Sequence, residues 1–176
     1  MTDALRIGIL GAAKIAPSAI IEPSCDLEQV RVTGIGARSG DTARAFAQRH
    51  DIPHAFEGYE AVINSPDVDI VYVALPITHH AQWTIAAAQA GKHVLCEKPL
   101  ALTIEECEQL VSAAEKNQRQ LCVGHVLPFF PEYDYARKVI ASGEYGKLLG
   151  GTFKRVISDP TWLSDFYDAK RVGGPL

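Results

Sequence analysis

Lys98 is the side chain of this sequence with the clearest potential for chemistry. It directly follows an apolar run that we interpret as a buried strand, and Pro99 after it favours an extended backbone, which would fix the direction of the side chain. An ammonium group held over a ligand crevice can donate to a substrate hydroxyl or carbonyl oxygen. The alternative is a structural pair of Glu97 and Lys98 that ends a strand, and the spacing alone leaves both interpretations open.

A glycine-containing segment near the N-terminus has the residue types of an anion-binding turn. Residues 6–16 begin as an apolar run, break at Gly11 and continue in residues that can form a helix. Gly11 permits a sharp turn, small Ala12 and Ala13 let the backbone approach a pyrophosphate, and the unpaired N–H groups of a new helix would face that anion. Ala16 occupies the third small position of the G-x-G-x-x-G/A dinucleotide fingerprint, although Ala13 replaces its second glycine. The same residues suit an ordinary strand-to-helix turn, so the motif alone does not decide between the two.

Arg38 and Ser39 follow the second predicted strand and indicate which dinucleotide would bind. At the tip of this strand an acidic residue would hold the ribose 2′-hydroxyl of NAD, whereas an arginine accommodates the 2′-phosphate of NADP. No acid stands there, and a guanidinium fork suits a phosphate dianion, so the sequence favours NADP while NAD stays possible. The alternative for Arg38 is a solvated surface arginine.

Two adjacent histidines, His79 and His80, open the fourth predicted helix. Neighbours on a helix point about 100° apart and do not share an ion easily. No acidic residue or cysteine nearby completes a ligand set, so we predict no metal site. A histidine that lines a cofactor pocket is favoured instead, whereas His125 could equally be a hydrogen-bonded core residue.

Strands and helices alternate along the first 124 residues and would position these side chains. The predicted strands are 7–10, 30–35, 52–56, 69–75, 93–96 and 121–124. The predicted helices are 14–21, 41–50, 59–64, 79–90 and 103–117, followed by one more at 131–141. This alternation implies right-handed crossovers and an α/β fold of the Rossmann type, a doubly wound parallel sheet. Ligands of such sheets bind beyond the carboxyl ends of the strands, where the residues named above would lie.

Local signals set the expected ends of the helices. We expect Pro23 to end the first helix, Asp41 and Thr78 to cap two others, and Thr103 with Glu106 to form a capping box. The apolar stripe of the capping-box helix is predicted at Ile104, Cys107, Leu110 and Ala114.

The pattern changes after His125, where residues 148–157 read as a long strand that no helix follows. We therefore divide the chain into a dinucleotide-binding domain, residues 1–122, and the beginning of an incomplete α/β substrate domain, residues 123–176. A half-built domain would leave apolar side chains uncovered and favour self-association. The side chains concerned are Phe129, Phe130, Phe153 and Trp162.

The overall composition narrows the class of protein. The 176 residues have a net charge of −4, which gives no electrostatic footprint for nucleic acid. The longest apolar stretch, residues 70–75, is far too short to cross a bilayer, and the N-terminus lacks the features of a secretory signal. Of the four cysteines, Cys96 and Cys122 lie in apolar runs and read as core residues of a reduced protein. We expect a cytoplasmic protein with no nucleic-acid or membrane partner.

Three segments together resemble the glucose–fructose oxidoreductase and inositol dehydrogenase (Gfo/Idh/MocA) family. They are residues 8–16, Gly-Ile-Leu-Gly-Ala-Ala-Lys-Ile-Ala; residues 74–80, Ala-Leu-Pro-Ile-Thr-His-His; and residues 91–99, Gly-Lys-His-Val-Leu-Cys-Glu-Lys-Pro. The last segment is highly specific, and its separation from the glycine loop is right. The resemblance extends over the whole chain.

The resemblance implies roles for individual residues of the cofactor site. The family's pyrophosphate loop is matched by Gly11, Ala12, Ala13, Lys14 and Ile15, and its ribose-side residues by Arg38 and Ser39. Its Pro-x-x-x-His segment beside the cofactor is matched by Leu75, Pro76 and His80. Its Glu-Lys-Pro motif is matched by Glu97 and Lys98, and this lysine would lie near nicotinamide and substrate and assist proton transfer as the catalytic residue.

The activity implied is reversible hydride transfer between NAD(P) and a hydroxyl-bearing carbon of a sugar, polyol or related diol, in a homo-oligomer. Pro128 stands where many members carry an arginine, so a substrate contact is expected to differ. The family's Asp-x-x-x-His catalytic motif would lie beyond Leu176, so we expect NADP(H) binding with very weak or no turnover. The alternative is a non-catalytic dinucleotide-binding protein with a regulatory or interaction role.

Overall fold

Six parallel strands form a single sheet in the computed structural model, which describes residues 4–154 and 156. The strands are β1 (Leu5–Leu10), β2 (Val30–Ala37), β3 (His54–Glu57), β4 (Ile70–Val73), β5 (His93–Cys96) and β6 (Leu121–Val123). Their spatial order is β3-β2-β1-β4-β5-β6, the order of the dinucleotide-binding fold. All five neighbouring pairs are parallel, which confirms the predicted doubly wound α/β sheet.

Helices connect the strands on both faces of this sheet. They are α1, which consists of a π-helical segment (Pro17–Ile21) and an α-helical segment (Glu22–Cys25), α2 (Gly40–Arg49), α3 (Glu60–Ile63), α4 (His80–Gln89), α5 (Ile104–Lys116) and α6 (Pro131–Ser142). Short 3₁₀ turns, Ile77–His79 and Leu127–Phe129, precede α4 and α6.

Two apolar cores lie on the two faces, because successive side chains of a strand alternate between them. Ile9 of β1 packs with Ile35 and Tyr72 and with helices α1 and α2 on one face. Leu10, the next residue, packs with β4 and β5 and with helices α3 and α4 on the other. The near-continuous burial of β1 and β4 is typical of strands covered on both sides.

The amino ends of the strands carry a polar network that ties β1 to β4. The Arg6 guanidinium donates to both carboxylate oxygens of Asp69 at 2.8 Å, and these hydrogen bonds lower the pKa of Asp69 to about 2. The ammonium group of Lys92 donates to the carbonyl oxygens of Ser65 and Val68, at 2.8 and 2.7 Å. This network lies at the edge of the sheet opposite to the carboxyl ends.

Three predicted helix boundaries are wrong. Pro23 does not end the first helix, because it lies at the start of the α-helical segment of α1, where the missing N–H of proline costs least. Asp41 does not cap α2: the helix begins at Gly40 with Ser39 as the N-cap, and the Asp41 carboxylate accepts from Arg44. Thr78 lies inside the 3₁₀ turn, and its side chain caps nothing.

The capping box of α5 is confirmed in its first half. Thr103 Oγ1 accepts from the backbone N–H of Glu106 at 3.2 Å, while the Glu106 carboxylate accepts from the N–H of Leu102 at 2.9 Å. Leu110 and Ala114 are buried as predicted, but Ile104 is 74% exposed. A helical side chain leans over the turn that precedes it, and Ile104 begins the helix, so no preceding turn is there to cover.

Two further expectations differ from the structure. Cys96 is buried as predicted, but Cys122 is exposed, because it lies on the edge strand β6, which has a neighbour on one side only. The strand expected at 148–157 is not present in residues 148–154 and 156, which have no regular secondary structure. Residues 155 and 157, like Trp162, lie outside the described residues.

Phe129 and Phe153 are exposed by 84% and 92%, and Phe130 by 42%, as expected for an uncovered apolar patch. Within the described part of the chain, no helix is long and apolar enough to span a membrane. The same residues contain no group of three or more His, Cys, Asp or Glu side chains that could hold a metal ion.

Candidate functional site

The carboxyl ends of β1, β2, β4 and β5 meet at one edge of the sheet. Leu10 pairs with Gly36 on one side and with Val73 on the other, and Val73 pairs in turn with Cys96. The residues that follow these strands therefore lie side by side. The glycine loop and Lys98 emerge at the same edge, two strand spacings apart, which is about 10 Å.

Gly11 makes the turn that the glycine loop requires. Its φ of +98° lies in the region that L side chains rarely adopt. A Cβ atom there would approach the carbonyl oxygen of Ala74 to 2.8 Å and Cδ2 of Leu75 to 2.9 Å. Gly11 is thus required twice, by its backbone angle and by its contact with the end of β4.

The loop after Gly11 leaves a row of backbone donors unpaired. The Gly11 N–H donates to the carbonyl oxygen of Gly36 at 2.8 Å, but the N–H groups of residues 12–15 donate to no described group. Ala12 and Ala13 are half-buried, and Ala16 is completely buried against the core beneath the loop. Small side chains and free amides before a helix fit a phosphate group, which is the chemistry that a dinucleotide would bring here.

Arg38 and Ser39 are exposed directly after β2. Tyr59 lies near Arg38: burial raises the pKa of the Tyr59 hydroxyl, and the Arg38 guanidinium partly opposes that rise. The residues that precede Arg38 and Tyr59 are joined by a hydrogen bond, in which the N–H of Gly58 donates to the carbonyl oxygen of Ala37 at 2.8 Å. Arg38 therefore presents an accessible cation at the end of β2.

His80 is a core histidine, with 1% of its surface exposed. Its Nδ1 lies 2.9 Å from the carbonyl oxygen of Pro99, and its Nε2 lies 2.8 Å from that of Leu75. Both ring nitrogens therefore face the backbone, and the ring connects the end of β4 to the loop after β5. Leu75 is buried and Pro76 is exposed at the same place.

Glu97 and Lys98 lie at the end of β5 in different environments. The Glu97 carboxylate accepts a hydrogen bond from the Tyr72 hydroxyl at 2.8 Å and one from the Lys98 backbone N–H at 3.2 Å. The Lys98 side chain is exposed and forms no salt bridge with a described residue. The Lys98–Pro99 peptide bond is cis. The ammonium group of Lys98 is thus available to a ligand, and Glu97 interacts with the lysine's backbone N–H.

Tyr72 is the residue of this site that the sequence interpretation missed. Its side chain is buried in the centre of the sheet, and both burial and the Glu97 carboxylate raise its pKa, so the hydroxyl stays protonated. A signal was present, because a hydroxyl in an otherwise apolar central strand must find a partner when it is buried.

Cys96, next to Glu97, contributes no nucleophile. The thiol is completely buried, and burial raises its pKa to about 11. A thiol in this state is inert, because the thiolate is the reactive form.

Sequence comparison identifies the family. Residues 5–125 match the profile of the Gfo/Idh/MocA family, described as an oxidoreductase family with an NAD-binding Rossmann fold. The chain belongs to this family. An uncharacterized oxidoreductase of Rhizobium meliloti is 37% identical over 176 residues, 99% of this chain and 52% of that protein. An NADP(+)-dependent scyllo-inositol 2-dehydrogenase of Bacillus subtilis (strain 168) is 32% identical over 172 residues, 98% of this chain and 50% of that protein.

Solved structures show the same fold. A single-residue mutant of a 3-ketoreductase from Actinomadura kijaniata, in complex with TDP-benzene and NADP, has a TM-score of 0.81 at 30% identity. That match covers 97% of this chain and 52% of the other. An aldose-aldose oxidoreductase from Caulobacter crescentus, complexed with glycerol, has a TM-score of 0.72 at 33% identity, covering 80% of this chain and 43% of that one. The chain spans about half the length of the relatives that it matches.

Proposed function

We propose that this protein is an NADP-dependent oxidoreductase that transfers a hydride between nicotinamide and a hydroxyl-bearing carbon of a sugar, polyol or related diol. The observation that carries the proposal is the common edge of the sheet at which the unpaired amides of residues 12–15 and the ammonium group of Lys98 both emerge. The named relatives support the substrate class, because they include an inositol dehydrogenase and a dTDP-sugar 3-reductase of Saccharopolyspora spinosa.

The chain's own residues would bind the cofactor and stabilise charge. The amides of residues 12–15 would hold its pyrophosphate, and a bound nicotinamide would supply or accept the hydride. Lys98, as the catalytic residue, would donate from its ammonium group to the substrate oxygen on which negative charge develops during reduction. Leu75 and Pro76 would lie along the cofactor, while His80 would act through the backbone that it connects.

Arg38 supports NADP over NAD. Its guanidinium group is exposed at the end of β2, where the 2′-substituent of the adenosine ribose lies in this fold, and no acidic residue takes its place. Ser39 adds a hydroxyl donor beside it. The NADP found with the 3-ketoreductase of Actinomadura kijaniata is consistent with this preference.

Cofactor binding tests the proposal on the 176-residue chain. We expect NADPH fluorescence to change on titration with the protein, and Arg38→Ala to weaken NADPH by about tenfold while NADH changes little. Arg31→Ala is the matched control, because Arg31 is an exposed arginine on the same strand but away from its carboxyl end. Absence of NADPH binding at millimolar concentration would reject the proposal.

The named relatives favour an enzyme over a regulatory protein that binds the dinucleotide without catalysis. A measurement of turnover tests this choice. NADP⁺ reduction is measured with a panel of sugars and polyols, in the wild type and in Lys98→Ala. We expect any turnover to fall in the variant while NADPH still binds. Turnover that Lys98→Ala abolishes would reject the regulatory alternative, whereas turnover that Lys98→Ala leaves unchanged would contradict the catalytic role of Lys98.

We also propose the division into a dinucleotide-binding domain, residues 1–122, and the beginning of a substrate domain, residues 123–176, in a homo-oligomer. The family profile ends at residue 125, close to this boundary. Helix α6, beyond the boundary, has no buried residue.

A further inference from the structure

Lys98 is held at its backbone on both sides. On its N-terminal side, the Glu97 carboxylate accepts from the Lys98 N–H at 3.2 Å and is itself bound by the Tyr72 hydroxyl at 2.8 Å. On its C-terminal side, the carbonyl oxygen of Pro99 lies 2.9 Å from Nδ1 of His80. Both anchoring side chains are almost fully buried, with 1% of their surface exposed.

We propose that Tyr72 and His80 are positioning residues that together fix the backbone of Lys98 and so set the direction of its ammonium group over the cofactor crevice. The inference rests on the proposed function of Lys98. It assigns to His80 a role through Pro99 instead of a direct contact with the cofactor, because both of its ring nitrogens already face carbonyl oxygens.

One anchor belongs to the neighbouring strand β4, and the other, at the start of α4, contacts the backbone just beyond that strand. Tyr72 is a residue of β4 itself, and Nε2 of His80 lies 2.8 Å from the carbonyl oxygen of Leu75, two residues beyond β4. Both partners are carbonyl oxygens, which only accept, so a neutral imidazole ring donates to one of them and a doubly protonated ring donates to both. His80 thus lies between the loop that carries Lys98 and the end of β4, against which Gly11 also packs.

Such backbone anchors are needed because the side chain of Lys98 has none of its own. It is exposed and forms no salt bridge with a described residue, and a lysine carries four rotatable bonds. A buried hydroxyl at Tyr72 costs free energy unless it is paired. Its hydrogen bond to Glu97 holds in place the carboxylate that also accepts from the Lys98 N–H.

Two amide substitutions separate the two contacts that the ring nitrogens of His80 make with carbonyl oxygens. The side-chain nitrogen of asparagine takes the place of Nδ1, which faces Pro99, and that of glutamine takes the place of Nε2, which faces Leu75. His80→Asn therefore retains the link to the Lys98 loop, and His80→Gln removes it. His54→Asn is the control, because His54 is exposed on the edge strand β3 at the far side of the sheet.

The readout is the hydrogen-exchange rate of the Lys98 amide, measured by NMR on the 176-residue chain without cofactor. We expect Tyr72→Phe and His80→Gln each to raise this rate by about fivefold, while His80→Asn and the control stay near the wild type. Equal effects of the Asn and Gln variants, or an unchanged rate in Tyr72→Phe, would overturn the proposal. So would an equal rise at every amide of β4 and β5, because that result indicates a purely structural role.

If neither His80 variant folds, Tyr72→Phe still decides, since it conserves the shape of the side chain and removes only the hydroxyl. An NADPH titration of the wild type distinguishes the two proposals. Absent binding rejects the proposed function, whereas unchanged exchange at Lys98 in a chain that binds NADPH rejects only the positioning role.

Discussion

At the scale of single residues, the charged and polar groups of this protein have separate tasks at the two edges of the sheet. Lys98 and Arg38 are exposed at the carboxyl ends, where no described partner engages the ammonium group of Lys98. Arg6 and Asp69 pair at the amino ends, at 2.8 Å. The two exposed cations are suited to a ligand, whereas the ion pair of Arg6 and Asp69 stabilises the fold.

Asp69 gives the fold a defined acid sensitivity. Its pKa is about 2 when folded, lowered mainly by the Arg6 hydrogen bond, so its stabilisation is present above about pH 4 and is lost as the pH falls toward 2. We expect Asp69→Asn to lower the free energy of unfolding at pH 7 by about 1–2 kcal/mol, after allowance for partial exposure, and to flatten its pH dependence between 4 and 2.

Urea denaturation across this pH range measures both effects. The matched control is Asp67→Asn, because Asp67 also pairs with Arg6 but at 3.3 Å and with 55% of its side chain exposed. A pH dependence in Asp69→Asn as steep as in the wild type would contradict the assignment.

At the scale of helices and strands, sequence patterns worked where one physical cause dominates. The buried strands were predicted because parallel strands covered on both faces must be apolar, as in β4. The capping residues were predicted less well, because several side chains near a helix start can accept a hydrogen bond and tertiary packing selects among them. Thr103 is used, whereas Asp41 and Thr78 are not.

In the candidate site, too, local features could be predicted from the sequence and long-range contacts could not. The loop at Gly11 and the position of Lys98 depend on local backbone requirements, so the sequence indicated them. The contacts of Tyr72 and His80 join residues 25 and 19 positions apart, and no local pattern reports such pairs.

The cap of α5 by Thr103 can be tested against Thr78, which was predicted to cap α4 but does not. Thr103→Ala removes the acceptor of the Glu106 N–H and should lower the free energy of unfolding by about 1 kcal/mol. Thr78→Ala should change it by less than about 0.5 kcal/mol, since the Thr78 side chain is exposed and caps nothing. Equal losses in urea denaturation would show that the two threonines are not distinguished in this way.

At the scale of the whole molecule, residues 4–124 are well packed and the described residues after them are mostly exposed. Every side chain of α6 except Asp134 and Val139 is exposed, and residues 143–154 are exposed throughout. The chain also spans about half the length of its relatives. The packed part alone carries the residues proposed to bind the cofactor.

We expect the 176-residue chain to self-associate through its exposed aromatic side chains. Phe129 and Phe153 are 84% and 92% exposed, far more than apolar rings in a packed domain. Sedimentation velocity should show association that increases with concentration and that decreases when both are changed to serine. Leu27→Ser is the control, since Leu27 is 52% exposed but lies after α1, and a monomeric wild type at high concentration would contradict the expectation.

The ion pair of Arg6 and Asp69 lies one strand length away from the edge of the sheet at which Lys98 is exposed, and this separation has an evolutionary consequence. Lys98 and Arg38 are exposed and form no salt bridge with a described residue, so substitutions at these side chains leave the contacts between the strands in place. New specificities can therefore be sampled at one end of the scaffold while the other end keeps it folded.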